Sequence, residues 1–202
     1  MKTSKQLKNG FTLVELLVVI AIIVSLMAIL VPVVGKAQGK AVKLRAKQGC
    51  SDLVNSVTGY YNAYNILPAN SSTPPNEDTE VETTEPIMSV LAGENIDNLN
   101  RKETTFGNFE DAKGSSKTNA YAGLWKDSDS AELFDPWRKK AGVTRGYILL
   151  IDYDYDEELD NPFLGGRVLP RRVVAWSTGK DGEWRRGKPK AGINEDNVYS
   201  WQ

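Results

Sequence analysis

Histidine is absent from this chain of 202 residues, and cysteine occurs once, as Cys50. The missing histidine excludes His-based acid–base catalysis, Ser-His-Asp triads, Cys-His dyads and His-containing zinc sites. A lone cysteine excludes intrachain disulfides and four-cysteine metal clusters. An excess of either charge is also lacking, because 25 basic residues face 26 acidic ones for a net charge of −1. That balance argues against nucleic-acid binding.

A long apolar run near the N-terminus is the strongest feature that is present. Leu16–Val34 contains no charge and is interrupted only by Ser25 and Pro32. At about 1.5 Å per helical residue it covers roughly 28 Å, close to the hydrocarbon thickness of a bilayer. Buried helices of soluble proteins seldom run this long without a polar face. The run therefore predicts a transmembrane helix.

A secretory signal peptide is the rival interpretation, since lysines at positions 2, 5 and 8 precede the run. An ordinary signal has an apolar region of about 7–15 residues that ends at a small-x-small site. Here the run is longer, and no Ala-x-Ala follows it. Glu15 also places a carboxylate inside the apolar stretch, which costs about 2.5–3.5 kcal/mol at mid-bilayer and less near an edge. Such a residue is by default a functional candidate.

Residues 8–17, Lys-Asn-Gly-Phe-Thr-Leu-Val-Glu-Leu-Leu, resemble the leader junction of type IV pilins and type II secretion pseudopilins. The resemblance implies that a prepilin peptidase cuts between Gly10 and Phe11 and that the new Phe11 amine is methylated. It also assigns Glu15 to filament assembly, by pairing with the Phe11 amine of a neighbouring subunit. No catalytic residue of the chain itself is expected.

The same resemblance implies a cleaved leader at 1–10, a transmembrane and filament-core helix at 11–35 and a periplasmic head at 36–202. The expected location is the bacterial inner membrane, crossed once, with a cell-surface filament as the open alternative. Five basic residues between Lys36 and Lys47 argue against a periplasmic head, because the positive-inside rule would place them, and the head after them, in the cytoplasm. The leader motif is the more specific signal, since the peptidase reads it from the cytoplasmic face.

Expected partners, also by resemblance, are the prepilin peptidase, further copies of the chain in a homopolymeric filament, other pseudopilins or minor pilins, and an inner-membrane assembly platform. Neither a nucleic acid nor a small-molecule substrate is expected. The function implied is a structural subunit of a type II secretion pseudopilus or a related type IV pilus-like filament. A membrane-anchored, non-polymerising binding module or adhesin is the alternative, and an anchored enzyme is the third class.

Beyond Pro32 the apolar positions take a helical period and predict an amphipathic helix over 36–67. The stripe consists of Val42, Ala46, Gly49, Leu53, Val57, Tyr60, Tyr64 and Leu67. One helix would then run from Phe11 to about Leu67 and stop before Pro68. Pro32 and the glycines at 35 and 39 predict either a kink or a segment that melts on assembly. Cys50 is expected to be a packed free thiol, with an interchain disulfide as the alternative.

The rest of the head predicts an α+β, pilin-like fold in which the long helix packs on a small antiparallel sheet. Residues 68–130 are expected to be a variable loop region, with an exposed acidic loop over 69–86 and a short helix over Ile87–Leu99. Residues 131–202 are expected to form the C-terminal sheet. Its predicted strands are 146–155, 171–177 and 197–201.

Three short motifs in the last third are similar to those of the major, G-type pseudopilin: residues 135–137, 177–182 and 196–201. Asp181 lies in a glycine-bounded turn, and two further oxygen-bearing side chains, Asp196 and Asn197, follow about 15 residues later in the sequence. Calcium prefers six to eight oxygen ligands, which carboxylates, amide oxygens and carbonyls provide. The resemblance adds the backbone carbonyl of Thr178, and together they predict a calcium site. The alternative is a simple turn and a solvated chain end.

Two other patterns contain residue types that can carry chemistry. Asp152, Asp154 and Asp156 alternate with tyrosines, and on a strand they would share one face. An EF-hand loop fails because Glu157 and Phe163 occupy the positions of its glycine and its final glutamate, so a solvated strand edge is expected. Ser177 lacks both a Gly-x-Ser-x-Gly context and an activating histidine. The chain is therefore not expected to be an enzyme.

Overall fold

The computed structural model describes residues 11–128, 130–137, 146–188 and 191–201. It separates into two compact units, Met1–Ala41 and Val42–Gln202. The first helix, α1 (Leu13–Tyr64), contributes residues to both units. The second unit holds the remaining helices and strands of the described chain.

Helix α1 begins two residues after the predicted start. The backbone N–H of Thr12 donates to Glu15 Oε2 at 2.8 Å, and the N–H of Glu15 donates to Thr12 Oγ1 at 3.2 Å. This reciprocal arrangement is a capping box, which satisfies donors that a helix start leaves without partners. The helix ends at Tyr64, three residues before the predicted end, because Asn65 takes a left-handed φ of 57°.

The N-terminal part of α1 has no buried face. Every side chain from Phe11 to Lys40 is exposed, and the helix continues through Pro32 without a break. By length and composition, α1 can cross a membrane. The kink and the segment that melts on assembly both stay predictions for the stretch around Pro32.

The part of α1 within the second unit buries four residues of the predicted stripe, together with Cys50 beside them. Five side chains spaced by four and three residues are fully buried in the core: Ala46, Cys50, Leu53, Val57 and Tyr60. Gly49 lies beside this row, where an added Cβ would come within 2.2 Å of the Tyr147 hydroxyl. The helical period therefore located the packing face correctly.

The strands of the described chain are, in chain order, β1 (Thr79–Glu82), β2 (Gly123–Lys126), β3 (Ala131–Phe134), β4 (Tyr147–Ile151), β5 (Leu159–Asp160), β6 (Val168–Leu169), β7 (Val173–Ser177) and β8 (Val198–Tyr199). They form one four-stranded antiparallel sheet, in the order β1-β4-β7-β8, and two short two-stranded sheets, β2-β3 and β5-β6. Short helices occupy Ile87–Leu91 (α2), Lys117–Asn119 and Gly192–Asn194. The predicted α+β arrangement is confirmed.

The central strands β4 and β7 are buried on both faces, which explains their continuous apolar sequences. Their alternate residues join α1 in one cluster, which includes Leu149 and Ala175. The other residues join a second, aromatic cluster, which includes Trp176 and Phe163. A strand covered on both sides can be apolar at every position, and here all ten residues are buried.

Three expectations about the head were wrong. The acidic loop over 69–86 contains strand β1, whose edge position tolerates charge on the open side while Val81 is buried against the core. The 68–130 region therefore supplies part of the main sheet and is not a loop region throughout. The helix at Ile87 ends at Leu91, because Gly93 takes a φ of 106° that terminates it.

Candidate functional site

The start of α1 holds two of the predicted site residues. Phe11 is exposed, and Gly10 lies outside the described residues. Glu15 Oε2 accepts two hydrogen bonds from Thr12, one from its N–H and one from its hydroxyl at 2.6 Å. Thr12 was missed by the sequence interpretation, although Thr-x-x-Glu before an apolar run is a visible capping signature.

This arrangement places the Glu15 carboxylate at the positive end of the helix dipole, which favours a negative charge. Both hydrogen bonds from Thr12 end on Oε2. No hydrogen bond to Oε1 is recorded among the residues that the structure describes. The glutamate can therefore cap its own helix with one oxygen and offer the other to an incoming cation.

The C-terminal loop places Asp196, one of the predicted calcium ligands, against the backbone of residues 179–181. Asp196 Oδ2 accepts from the N–H groups of Lys180 at 2.6 Å and Asp181 at 3.2 Å. Gly179 has a φ of 75°, and a Cβ there would lie 2.6 Å from Asp196 Cγ, so the close approach requires glycine. Asp181 Oδ1 accepts from the Glu183 N–H at 2.9 Å. Both carboxylates thus accept bonds from backbone amides.

The side-chain amide of Asn197 has neighbours that no orientation satisfies. One terminal atom of the amide lies 2.9 Å from the carbonyl oxygen of Thr178 and 3.3 Å from that of Glu183. The other lies 3.2 Å from Asn194 Oδ1. All three neighbours are oxygens, whereas an asparagine amide has only one nitrogen end to donate from.

Asn194 is held in one orientation and cannot resolve the conflict. Its Oδ1 accepts from the Arg185 N–H at 2.9 Å, and its Nδ2 donates to the carbonyls of Arg185 and Lys188. In one orientation Asn197 Nδ2 donates to the carbonyls of Thr178 and Glu183, and its Oδ1 lies 3.2 Å from Asn194 Oδ1. In the other, Nδ2 donates to Asn194 Oδ1 and Oδ1 faces the two carbonyls. A cation held by the three oxygens would favour the second orientation.

The structure places the Thr178 carbonyl beside the side-chain amide of Asn197, and the calcium site predicted there stays a prediction. It adds the Glu183 carbonyl, which the sequence interpretation missed because a backbone carbonyl leaves no signal in the side-chain pattern. Asp181 and Asp196 lie on the same loop but direct the oxygens just described to backbone amides. Backbone carbonyls such as those of Thr178 and Glu183, and an amide oxygen such as that of Asn197, are ligands that a hard divalent cation such as calcium accepts.

Two of the C-terminal motifs meet beside this loop. Ser177 donates from its hydroxyl to Asp135 Oδ2 at 2.8 Å, and the Trp137 N–H donates to Asp135 Oδ1 at 3.1 Å. Asp135 and Ser177 are both buried. Burial raises the pKa of Asp135 to about 7, and the two hydrogen bonds oppose that shift. The contact anchors the strand end from which the Thr178 loop departs.

Comparison with known families identifies the N-terminal segment. A family model described as the prokaryotic N-terminal methylation motif matches residues 5–31. The chain carries a type IV prepilin-like leader. Comparison with curated proteins and with solved structures found no significant match.

A prepilin-like leader implies processing by a prepilin peptidase and pilin-like assembly. Together with the exposed apolar helix, it indicates a membrane-anchored protein. The match covers the predicted cleavage junction at Gly10 and Phe11, the carboxylate of Glu15 and most of the apolar run. It lies wholly within the N-terminal unit.

Proposed function

We propose that this chain is a structural subunit of a pilin-like filament, either a type II secretion pseudopilus or a related type IV pilus-like filament. The observation that carries the proposal is the prepilin-like leader in front of an apolar helix with no buried face. The surface from Phe11 to Val34 must be covered by lipid, by other helices, or by each in turn. Assembly replaces lipid contacts with packing between subunits.

Glu15 supplies the register of that packing. Once the leader is removed, the new Phe11 amine is a positive charge at the end of an apolar helix. Two isolated charges in an apolar environment are expensive, whereas a paired set costs less. The Glu15 carboxylate of one subunit therefore pairs with the Phe11 amine of its neighbour, through the oxygen that Thr12 does not occupy.

The topology that follows is a single pass through the bacterial inner membrane with the head in the periplasm. Beyond the peptidase, the proposed partners are further copies of the chain, other pseudopilins or minor pilins, and an inner-membrane assembly platform. The chain itself acts by assembly and not as an enzyme, and it binds neither a nucleic acid nor a small-molecule substrate.

A calcium ion at the C-terminal loop forms part of the proposal. The carbonyl oxygens of Thr178 and Glu183, which both lie beside one end of the Asn197 amide, support it, and Asp181 and Asp196 supply negative charge nearby. The ion would clip the loop between residues 178 and 197 to the sheet, which removes conformational freedom from a segment with little core of its own.

The proposal is tested by comparing filament yield for the wild type, Glu15→Ala and Thr12→Ala at equal membrane levels. Electron microscopy of sheared cell-surface and membrane fractions gives the yield. Glu15→Ala is expected to insert and be cleaved but to assemble poorly, because the amine loses its partner. Thr12→Ala loses the helix cap while keeping the charge, and it is expected to assemble.

A normal filament yield from Glu15→Ala would overturn the pairing role. An equal loss of filament yield in both variants would show that Glu15 acts only by capping its own helix. Absence of filaments from the wild type, with a processed and membrane-anchored chain, would favour the alternative of a non-polymerising binding module or adhesin.

A further inference from the structure

We infer that Asp78, Asp152 and Asp154 form a second divalent-cation site, suited to calcium and separate from the 178–197 loop. One carboxylate oxygen from each of the three residues lies within 4.8 Å of the other two. Asp154 is exposed, Asp78 is half-buried, and Asp152 is fully buried. The site sits at one end of the main sheet, where β1 begins and β4 ends.

Sheet register places these residues together. Strands β1 and β4 are antiparallel, and Thr79 pairs with Ile151. Asp78 directly precedes β1 and Asp152 directly follows β4, so the two aspartates form the next pair outward. Asp154 joins them because the chain turns after Ile151 instead of continuing as a strand. The expectation of three carboxylates on one face of a solvated strand is therefore wrong.

The buried carboxylate of Asp152 supplies a second, independent observation that points to a cation. Its Oδ2 accepts from the Glu157 N–H at 3.0 Å. Its Oδ1 is buried and has no hydrogen-bond partner within the described parts of the chain, and the same holds for Asp78 Oδ1. Burying a carboxylate oxygen without a partner is costly, and most buried polar atoms in folded proteins are paired. A cation between these oxygens removes that cost.

No basic side chain of the described residues takes the place of the cation. Their ion pairs join Lys117 to Glu132, Arg172 to Glu157 and Arg186 to Glu80. Arg172 faces the same turn but engages Glu157 and the ring of Tyr61. Within the described residues, no basic side chain therefore compensates the negative charge that the three aspartates carry when they are ionised.

The geometry suits calcium. Calcium binds oxygens at about 2.3–2.6 Å, so two oxygens on one ion are separated by at most roughly 5 Å. The 4.8 Å limit on the three carboxylates falls inside that span. Calcium also accepts irregular coordination completed by water, which the exposed side at Asp154 can provide. The turn needs no glycine, because Glu157 itself takes a left-handed φ of 67°.

The ion would stabilise the junction between the long helix and the sheet. Tyr153 donates from its hydroxyl to the carbonyl of Pro68 at 2.7 Å, and the Leu67 N–H donates to the Tyr155 hydroxyl at 3.0 Å. The turn that follows β4 is therefore hydrogen-bonded to the segment that directly follows α1. A cation at Asp152 and Asp154 would fix those tyrosines and the start of β1 together.

The test is calcium binding by the full mature chain in detergent, measured by equilibrium dialysis with calcium alone at millimolar concentration. Asp154→Asn is expected to bind one calcium ion fewer per chain than the wild type. Glu158→Gln removes one exposed carboxylate from the same turn outside the cluster, and it is expected to bind as the wild type does. Asp78→Asn provides a second variant with the same expected loss.

The comparison is independent of the 178–197 loop, because only the difference from the wild type is scored. The proposal is overturned if Asp154→Asn and Asp78→Asn bind as many ions as the wild type, or if the wild type binds none. It is also overturned if Glu158→Gln loses as much binding, since that would reflect general acidity. Circular dichroism of each variant confirms that the fold is retained.

Discussion

The hydroxyl of Ser177 donates to the buried carboxylate of Asp135 at 2.8 Å, joining two segments that lie 42 residues apart in sequence. Burial raises the pKa of Asp135 from its ordinary 3.8 to about 7. The folded chain therefore favours the protonated form of the Asp135 carboxyl more than the unfolded chain does. The stability that this preference contributes is complete below pH 3.8 and is lost as the pH rises through about 7.

Asp135→Asn is expected to flatten the dependence of stability on pH. In chelator, the wild-type free energy of unfolding should fall by on the order of 3 kcal/mol between pH 4 and pH 8 through this residue. Asparagine does not titrate, so the variant should lose that part of the slope. Urea unfolding at several pH values gives the comparison. An unchanged slope in Asp135→Asn would show that Asp135 is not the titrating group.

Gly49→Ala is expected to destabilise the head by about 1–3 kcal/mol, because the new Cβ would come within 2.2 Å of the Tyr147 hydroxyl. Gly59→Ala is the matched control on the same helix. Its Cβ would meet only Phe106 Cδ1, at 3.5 Å. Alanine favours helix over glycine by about 1 kcal/mol, so this variant should be neutral or stabilised. Thermal unfolding midpoints of the two variants give the comparison. Equal changes in midpoint for Gly49→Ala and Gly59→Ala would show that Gly49 does not pack closely against Tyr147.

Asn197→Asp is expected to strengthen calcium binding at the C-terminal loop, because it adds a negative charge to the converging oxygens of Thr178 and Glu183. Without calcium the same charge should lower the unfolding midpoint. The measurement is the midpoint in calcium and in chelator, made in an Asp154→Asn background so that the second site does not contribute. If calcium fails to restore the loss, Asn197 donates to the two carbonyls and no ion binds there.

Cys50 is expected to resist thiol reagents in the folded chain. Its side chain is fully buried, and burial raises the pKa of the thiol well above its ordinary value. A maleimide should label it only after unfolding, and non-reducing gels should show no disulfide-linked dimer. Rapid labelling of the native protein would contradict the packing of α1 on the sheet and would reopen the interchain disulfide.

The features that sequence could predict are those that repeat or that use a distinctive local order of residues. The stripe from Ala46 to Tyr60 follows the helical period, so it located the buried face of α1. The apolar runs around Leu149 and Val174 likewise marked the two central strands. The leader junction is specific enough that a few residues were sufficient to identify it.

The features that could not be predicted from the sequence depend on residues that are distant along the chain. From its composition, strand β1 was predicted to be an acidic loop. It is a strand because it pairs with β4, which its own sequence does not indicate. Asp152 was expected to be solvated, since nothing local shows that β4 ends at Ile151 and that the next residue is buried. The Glu183 carbonyl beside Asn197 is a backbone group, which any residue type would have supplied.

The most direct test of the account is the mass of the N-terminal peptide from membrane-extracted protein. In cells with an active prepilin peptidase, the chain should begin at Phe11 and carry one methyl group on its amine. Gly10→Val should leave the leader attached, because a bulky side chain obstructs close approach of the peptidase to the junction. A chain that still begins at Met1 in peptidase-positive cells would contradict the account.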